Sequence, residues 1–487
     1  MKFLRNSLFT MGGVIGPVII GLAITPILLD AIGPARYGAL AISWLFLGYF
    51  GQADFGIGRA ATRRIAQLGD ASDAERAKVV WSAFLTILVF GVVIGLVAYG
   101  AANWFFSTSF EAEEGILAEL MESVALLALC GPIVAAFGVA IGCLQGGERF
   151  SISALATFVG NVGFMVCPLI VALFYTDHMM ALIGASLVGR SLGLVLALAG
   201  AWVHFLHRNP VQIDRAEVVG LLQTGKWIMV TALVGPLMII ADRFVIGAQF
   251  GAIAVAAYTV PFQAASRTLL IPVAITQVMF PKLAAMTDEE ARIAHRSYVI
   301  LIANLFLPLI VSLICLAEPL LRLWLGSNMD PRSVLIAQII LAGIWVNGLA
   351  HVPYSYLQAR DRARFVATLH VLELPIYAAL LFGLGAAYGL PGVAAAFAIR
   401  CLIDFVGLLI GSKAGLMSLG RHLLVPIPLI AIPLALHDWL TGWQLPLLAA
   451  LVFGGIAAIH MLRSVPTEFW QEMLERLRKR RAKGAAQ

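Results

Sequence analysis

Apolar residues run along this chain in long blocks, and short polar stretches separate the blocks. A helix rises 1.5 Å per residue, so roughly 20 apolar residues cross a hydrocarbon core. Read this way, the blocks predict about fourteen membrane-spanning helices. They cover residues 8–31, 39–61, 79–101, 119–142, 152–175, 179–203, 226–249, 252–279, 297–317, 333–357, 366–387, 391–411, 423–440 and 444–462. Lys2 and Arg5 precede the first block in the manner of a secretory signal. That block is too long for a cleaved signal and lacks a small-residue cleavage site, so it reads as the first span. The fold class expected is an all-α polytopic membrane protein.

Composition agrees with the pattern. Hydrophobic residues make up 61% of the 487 residues and charged residues 12%. A soluble domain carries roughly 45–50% apolar and 25% charged residues. The loops are short, which leaves little room for a soluble domain. The five cysteines, Cys130, Cys143, Cys167, Cys315 and Cys401, lie scattered in apolar runs without CxxC spacing. They read as small buried hydrophobes and imply no metal site.

Charge sets the orientation. If the spans alternate, one set of loops holds only Arg36, Arg322 and Arg332. The other holds Arg63, Arg64, Arg76, Lys78, Arg149, Arg208, Arg215, Lys282, Arg292, Arg296, Arg360, Arg362, Arg364, Lys413 and Arg421, together with both basic termini. The positive-inside rule then places both termini in the cytoplasm, with an even number of spans. The tail 466–487 carries Phe469, Trp470, Met473, Leu474 and Leu477 at helical spacing, followed by a cluster of Lys and Arg. It reads as a basic amphipathic helix on the inner leaflet, or as a solvated basic tail.

A faint internal repeat divides the chain. Gly16-Pro17 is followed by Gly33 and Tyr37, and Gly235-Pro236 by Gly251 and Tyr258. The expected organisation is an N-terminal lobe at 1–215 (spans one to six) and a C-terminal lobe at 216–415 (spans seven to twelve). Two extra helices at 416–465 and the tail at 466–487 complete it. Two six-helix lobes in parallel repeat are a transporter architecture, with substrate passing between them. Proline interrupts many of the spans, and Pro17 and Pro26 in the first are the best candidates for a hinge.

Five arginines fall inside spans: Arg59, Arg190, Arg243, Arg267 and Arg400. Each costs at least about 2.5–3.5 kcal/mol at a bilayer centre, so such groups face a protein interior or a water-filled cavity. Arg267 is mid-span with Gln263 one turn earlier and no acid within a turn. Arg190 is also central and lacks a local acid. Arg59 either snorkels or forms a cationic mouth with Arg63, which shares its face. Arg243 has Asp242 beside it in sequence. Arg400 and Asp404 stand at i, i+4, where an intrahelical pair neutralises itself. Asp54 and Glu373 are further candidates for ion pairs or for ion coupling. Asn347 and His351 share a face; they either contact sugar hydroxyls, as Gln263 would, or pack helices through hydrogen bonds.

One motif is a decoy. Gly220-Leu-Leu-Gln-Thr-Gly225-Lys226-Trp227 imitates a phosphate-binding loop, but Trp227 replaces the hydroxyl residue that holds Mg²⁺ and no strand precedes it. No metalloprotease or nucleophile-elbow motif stands in a suitable setting. The chain is expected not to be an enzyme and to need no cofactor.

Several stretches together resemble the Wzx-type polysaccharide-unit flippases of the multidrug/oligosaccharidyl-lipid/polysaccharide exporter superfamily. They are Ile32-Gly-Pro-Ala-Arg-Tyr-Gly38, Ala53-Asp-Phe-Gly-Ile-Gly-Arg59 with Arg63-Arg64-Ile65-Ala66, and Gly225-Lys226 with Ala241-Asp-Arg-Phe-Val-Ile-Gly247 and Tyr258. Gln277-Val-Met-Phe-Pro-Lys-Leu283, Leu323-Trp-Leu-Gly326 and Gly389-Leu-Pro-Gly-Val-Ala-Ala395 complete the series. The resemblance implies alternating access and translocation of an undecaprenyl-diphosphate-linked oligosaccharide across a bacterial inner membrane. By analogy with the related lipid II flippases, it places Arg59, Arg243 and Arg267 near the cavity. Membrane lipids, a polysaccharide polymerase and export machinery, and a coupling ion are the implied partners; nucleic acid is not. The rival readings are an ion-coupled multidrug exporter of the same superfamily, a lipid II flippase, and a membrane-embedded glycan polymerase or ligase.

Overall fold

A computed structural model describes residues 2–51, 56–69, 73–413, 420 and 422–465, without the side chains of 2–15, 49–51 and 224–236. The basic tail and Asp54 lie outside the described residues. All regular secondary structure among the described residues is helical. Ten of these helices are long and apolar enough to cross a membrane. The chain divides into two compact units, Met1–Val260 and Pro261–Gln487.

The first unit contains α1 (Lys2–Gly51), α2 (Ile57–Gln67), α3 (Asp73–Thr108), α4 (Glu114–Gly146), α5 (Phe150–Phe174), α6 (Met179–Ala201) and α7 (Arg215–Gln249). The first two predicted spans are joined in α1 across a break at Gly33, whose φ of 75° and ψ of 164° suit only glycine. Pro34 follows at the first position of the second limb, where its missing N–H costs nothing. The corresponding turn of the repeat, between α7 and α8 (Gly251–Ser266), uses Gly251 at φ 77°. Tyr37 and Tyr258, which follow the two glycines, are both buried. The two glycines named in the sequence repeat thus share one backbone device.

Small residues set the helix packing in this unit. Gly91 and Gly95 of α3 meet Ala128, Gly131 and Pro132 of α4, and Gly160 and Gly163 of α5 meet Gly189 and Gly193 of α6. Lipid tails give helices no hydrophobic reason to associate, so close backbone approach supplies the contact energy. Gly38 is the tightest position: a Cβ there would stand 1.8 Å from the Ala252 carbonyl oxygen. The loop after α3 is strapped to the same turn, since the Glu111 N–H donates to Gly247 and the Ala252 N–H donates to Glu111. Phe46, Phe105, Phe106, Phe110 and Phe244 fill the space beneath. The outer face of α3 leaves Leu88, Val92 and Leu96 exposed, as a lipid-facing wall does.

The second unit holds α9 (Leu270–Ala285), α10 (Asp288–Leu305), α11 (Leu307–Cys315), α12 (Ala317–Leu325), α13 (Arg332–Ala359) and α14 (Ala363–Ser412). Predicted spans eleven and twelve are the two limbs of α14, broken at Gly389 with φ 64° and ψ −146°. The α13 helix packs against α14, α9, α10 and α11. Gln444–Ser464 is long enough to cross a membrane, whereas Pro426–Ala435, inside the predicted span 423–440, is a shorter apolar helix; both lie on α11. There Gly454 meets the Ser312 hydroxyl.

Candidate functional site

The predicted intramembrane arginines separate by their partners. In the first unit, Arg243 is buried, and its Nη1 donates to Asp242 Oδ1 at 2.9 Å. Tyr258 donates its hydroxyl to the other Asp242 oxygen at 2.7 Å, and its ring faces the Arg243 guanidinium at 5.7 Å. Arg243 also donates to the Ile239 carbonyl. Both charges are thus neutralised on the spot. Arg243 is held by its sequence neighbour.

Arg190 is half-buried. The glycine contacts between α5 and α6 bring Asn161 against it, and Arg190 Nη1 donates to Asn161 Oδ1. Its guanidinium lies over the Phe137 ring at 4.8 Å. Trp44 stands on the same wall: its indole N–H donates to Ser186, one turn before Arg190, at 2.9 Å, and its ring packs on Phe164 at 5.4 Å. Arg190 keeps its charge without a carboxylate, held by an amide and a ring face. Asn161 and Trp44 were not singled out in sequence; they lie 29 and 146 positions from Arg190, and no local spacing links them.

Arg59 and Arg63 are exposed on α2, and neither has an ion-pair or hydrogen-bond partner among the described residues. Arg64 instead meets Glu217 of α7 at 2.6 Å. That hydrogen bond holds the Arg64 guanidinium above its ordinary pKa, against the desolvation that opposes it. A cavity of about 390 Å³ opens between these helices, lined in part by Arg63, Arg64, Gln67 and Glu217. Gly220 of the decoy motif also lines it.

In the second unit, Arg267 occupies a 3-10 turn, Arg267–Leu269, between α8 and α9. It is exposed and has no ion-pair or hydrogen-bond partner among the described residues. Gln263, expected beside it, is half-buried one turn earlier.

The remaining predicted residues gather between α13 and the two limbs of α14. Arg400 is 6% exposed and lies over the rings of Tyr377 and Phe397, each at 5.5 Å. Its Nη2 donates to Cys401 Sγ at 3.3 Å. The expected direct Arg400–Asp404 pair does not form. Asp404 Oδ1 faces His370 Nε2 at 3.3 Å instead, without the alignment of a hydrogen bond. The helix limbs explain the change: His370 reaches Asp404 from the opposite limb, while Arg400 turns toward the two rings. Glu373 is 2% exposed, and neither of its oxygens has a hydrogen-bond partner. It lies within electrostatic range of Asp404, His370 and Arg400. Asn347 reaches Cys401 Sγ at 3.7 Å, Tyr354 stacks on His370 with ring centroids 6.2 Å apart, and His351 senses the Asp404 charge. Asn347 and His351 therefore belong to this cluster. His370 was missed in sequence although a signal existed: His370, Glu373 and Tyr377 recur at i, i+3, i+7 on one helix face.

Known proteins share both sequence and fold with this chain. The polysaccharide biosynthesis protein family matches residues 31–334. A candidate O-antigen transporter of Shigella flexneri is 28% identical over 415 residues, covering 83% of this chain and 96% of that protein. The fold is similar to that of the lipid II flippase MurJ in an inward closed conformation, with a TM-score of 0.71 at 15% identity, covering 96% of this chain and 99% of that one. It is also similar to an inward-facing multidrug resistance MATE transporter of the MOP superfamily, with a TM-score of 0.66 at 17% identity, covering 83% and 95%. Long apolar helices, arginines held within them and these likenesses agree: the chain is a multi-pass membrane protein with the MOP-superfamily fold, and it belongs to the polysaccharide biosynthesis protein family.

Proposed function

We propose that this protein is a flippase that carries undecaprenyl-diphosphate-linked oligosaccharide units from the inner to the outer leaflet of a bacterial inner membrane. Both termini lie in the cytoplasm, and the chain is a carrier, not an enzyme. Residues 1–215 and 216–415 act as lobes that alternate access, with about fourteen spans in all. The product feeds a polysaccharide polymerase and its export machinery.

The observation that carries this reading is Arg267. An exposed guanidinium without a partner among the described residues, at a helix break in an apolar span, is costly unless it meets an anion or water. A diphosphate is such an anion, and a guanidinium forms paired, charge-assisted hydrogen bonds to phosphate oxygens. Arg190, half-buried and free of a carboxylate, offers a second cation, with Asn161 and Trp44 beside it for sugar hydroxyls and ring faces. Arg59 and Arg63 form a cationic approach at the inner end of α2. The Arg243–Asp242 pair is assigned to holding α7 and α8 together.

The test replaces Arg267 with alanine in cells, scored for surface polysaccharide with membrane expression as control. Output falls at least tenfold at unchanged expression, and Arg267→Lys recovers part of it. Full output from Arg267→Ala at normal expression removes Arg267 from the mechanism.

A further inference from the structure

The cavity of about 390 Å³ between α2 and the first turns of α7 has no part in the carrier reading beyond Arg63. Ala60, Arg63, Arg64 and Gln67 share one face of α2 at i, i+3, i+4 and i+7, and Ala216, Glu217 and Gly220 line the cavity from α7. The small residues on both sides hold the cleft open. A Cβ added at Gly220 would meet nothing within 4 Å, so that side of the cleft is open space.

The charges of the cleft point to the kind of ligand it takes. Both oxygens of Glu217 accept from Arg64, one at 2.6 Å from Nη2 and the other at 3.0 Å from Nε, so that pair is neutral as a unit. Arg63 is exposed and has no ion-pair or hydrogen-bond partner among the described residues. Gln67, one turn on, has an amide N–H₂ to donate. The lining therefore carries one positive charge in excess. Arg59, one turn before Arg63, and Glu75, whose charge reaches Arg64, add one charge of each sign and leave that sum unchanged. A phosphodiester matches it, with a single negative charge and two free oxygens for a guanidinium. A phosphomonoester carries about −1.5 to −2 at pH 7 and a diphosphate still more, which the cleft does not balance.

Position selects the source of the phosphodiester. Arg63 and Arg64 lie two and three residues past the second predicted span, about 3–5 Å beyond the hydrocarbon edge. The headgroup layer on each face of a bilayer is roughly 5–7 Å deep, so the cleft opens at its level. Trp81, the third residue of the third predicted span, packs on the apolar cluster that contains Ile65 and Leu221 of the two cleft helices. A tryptophan at that depth is an interfacial anchor. The α3 helix packs against both α2 and α7 and leaves Leu85, Leu88 and Val92 exposed, an apolar wall for acyl chains. We propose that the α2–α7 cleft binds the phosphodiester headgroup of an anionic glycerophospholipid of the phosphatidylglycerol class, with Arg63 as its cation and Gln67 as a second donor. Basic pockets between membrane helices take such headgroups. The lipid is a resident of the protein and not its cargo, and it ties α2 to α7 where the Arg64–Glu217 pair already joins them.

Lipid binding here does not depend on what the protein carries, and Arg63 also belongs to the cationic approach, so the test reads bound lipid and not export. The full-length protein in mild detergent is titrated with phosphatidylglycerol or phosphatidylcholine of identical chains, and bound lipid is counted by native mass spectrometry. Phosphatidylglycerol fills one saturable site, and phosphatidylcholine does not compete for it. Arg63→Gln weakens that site about tenfold, as loss of one charge-assisted hydrogen bond does. Gly220→Leu puts a side chain into the open space and abolishes the site, while the melting temperature without lipid stays at the wild-type value. Arg364→Gln, at an exposed arginine of the second unit, leaves binding unchanged. Two variants on different helices keep the test open if one of them fails to fold. Equal phosphatidylglycerol binding by the wild type, Arg63→Gln and Gly220→Leu overturns the site. Displacement of the lipid by an equal concentration of glycerol phosphate or inorganic phosphate makes a soluble phosphate the ligand. Farnesyl diphosphate binding more tightly than phosphatidylglycerol makes the cleft part of the cargo path. Either result overturns the resident lipid.

Discussion

Two buried ionic groups of similar composition behave differently in this fold. Around Asp242, a carboxylate, an arginine and a tyrosine are closed upon each other: one oxygen meets Arg243 at 2.9 Å and the other accepts from Tyr258 at 2.7 Å. Around Glu373, the same residue types are present, with Arg400 and Tyr377 nearby, yet the carboxylate has no hydrogen-bond partner. The first group is neutral and satisfied, as buried charges must be if they serve only to hold helices. The second is one acid in excess and incomplete. In a membrane that difference separates a closed group from an open one.

The sharpest way to break the comparison is the same chemical change in both places. Asp242→Asn removes the charge that compensates Arg243 and leaves a buried guanidinium facing an amide. Losing one partner of a buried pair costs about 3–5 kcal/mol. The expected result is a large fall in the melting temperature of the detergent-purified protein, with little monodisperse material left. An unchanged melting temperature means that Arg243 finds another anion or water, and the group is then not closed. The next largest effect belongs to Tyr258→Phe. It keeps the ring that faces Arg243 and deletes the donor to Asp242. One buried acceptor loses its hydrogen bond, worth about 1–3 kcal/mol. The melting temperature falls, by less than for Asp242→Asn, and export recovers at lower growth temperature. A fall as large as that of the asparagine variant assigns the hydroxyl a second role.

Much of this contrast was legible in the sequence, and the remainder follows a pattern. The Gly-led turns were readable because the positive φ at Gly33 and Gly251 demands glycine, and glycine in an apolar run stands out. The arginines were readable because charge in an apolar block is conspicuous. Their partners were readable only when local. Asp242 was visible beside Arg243, although sequence could not say that the two pair or that Tyr258, sixteen residues on, completes the group. Arg400 and Asp404 share a helix face, a spacing that allows a pair, but a residue on the opposing limb competes for the acid. Spacing reports who is able to meet on one helix and is silent about who wins across two. Asn161 beside Arg190 shows the same limit, since the close approach of α5 and α6 at paired glycines creates that contact.

The smallest expected effect is also the most informative. Glu373→Gln makes the same carboxylate-to-amide change as Asp242→Asn, at a residue of matching burial. In the closed group that change strands a cation. In the open group it removes an uncompensated acid and leaves Arg400 with its two aromatic faces, Cys401 and the field of Asp404. A neutral amide of the same shape is cheaper to bury than an ion, so nothing of the folded state is lost. The melting temperature of Glu373→Gln therefore stays level or rises at neutral pH. The same chemical change then moves stability in different directions at Glu373 and at Asp242. A fall in melting temperature equal to that of Asp242→Asn would place Glu373 in a structural pair with Arg400 and make the two groups alike after all.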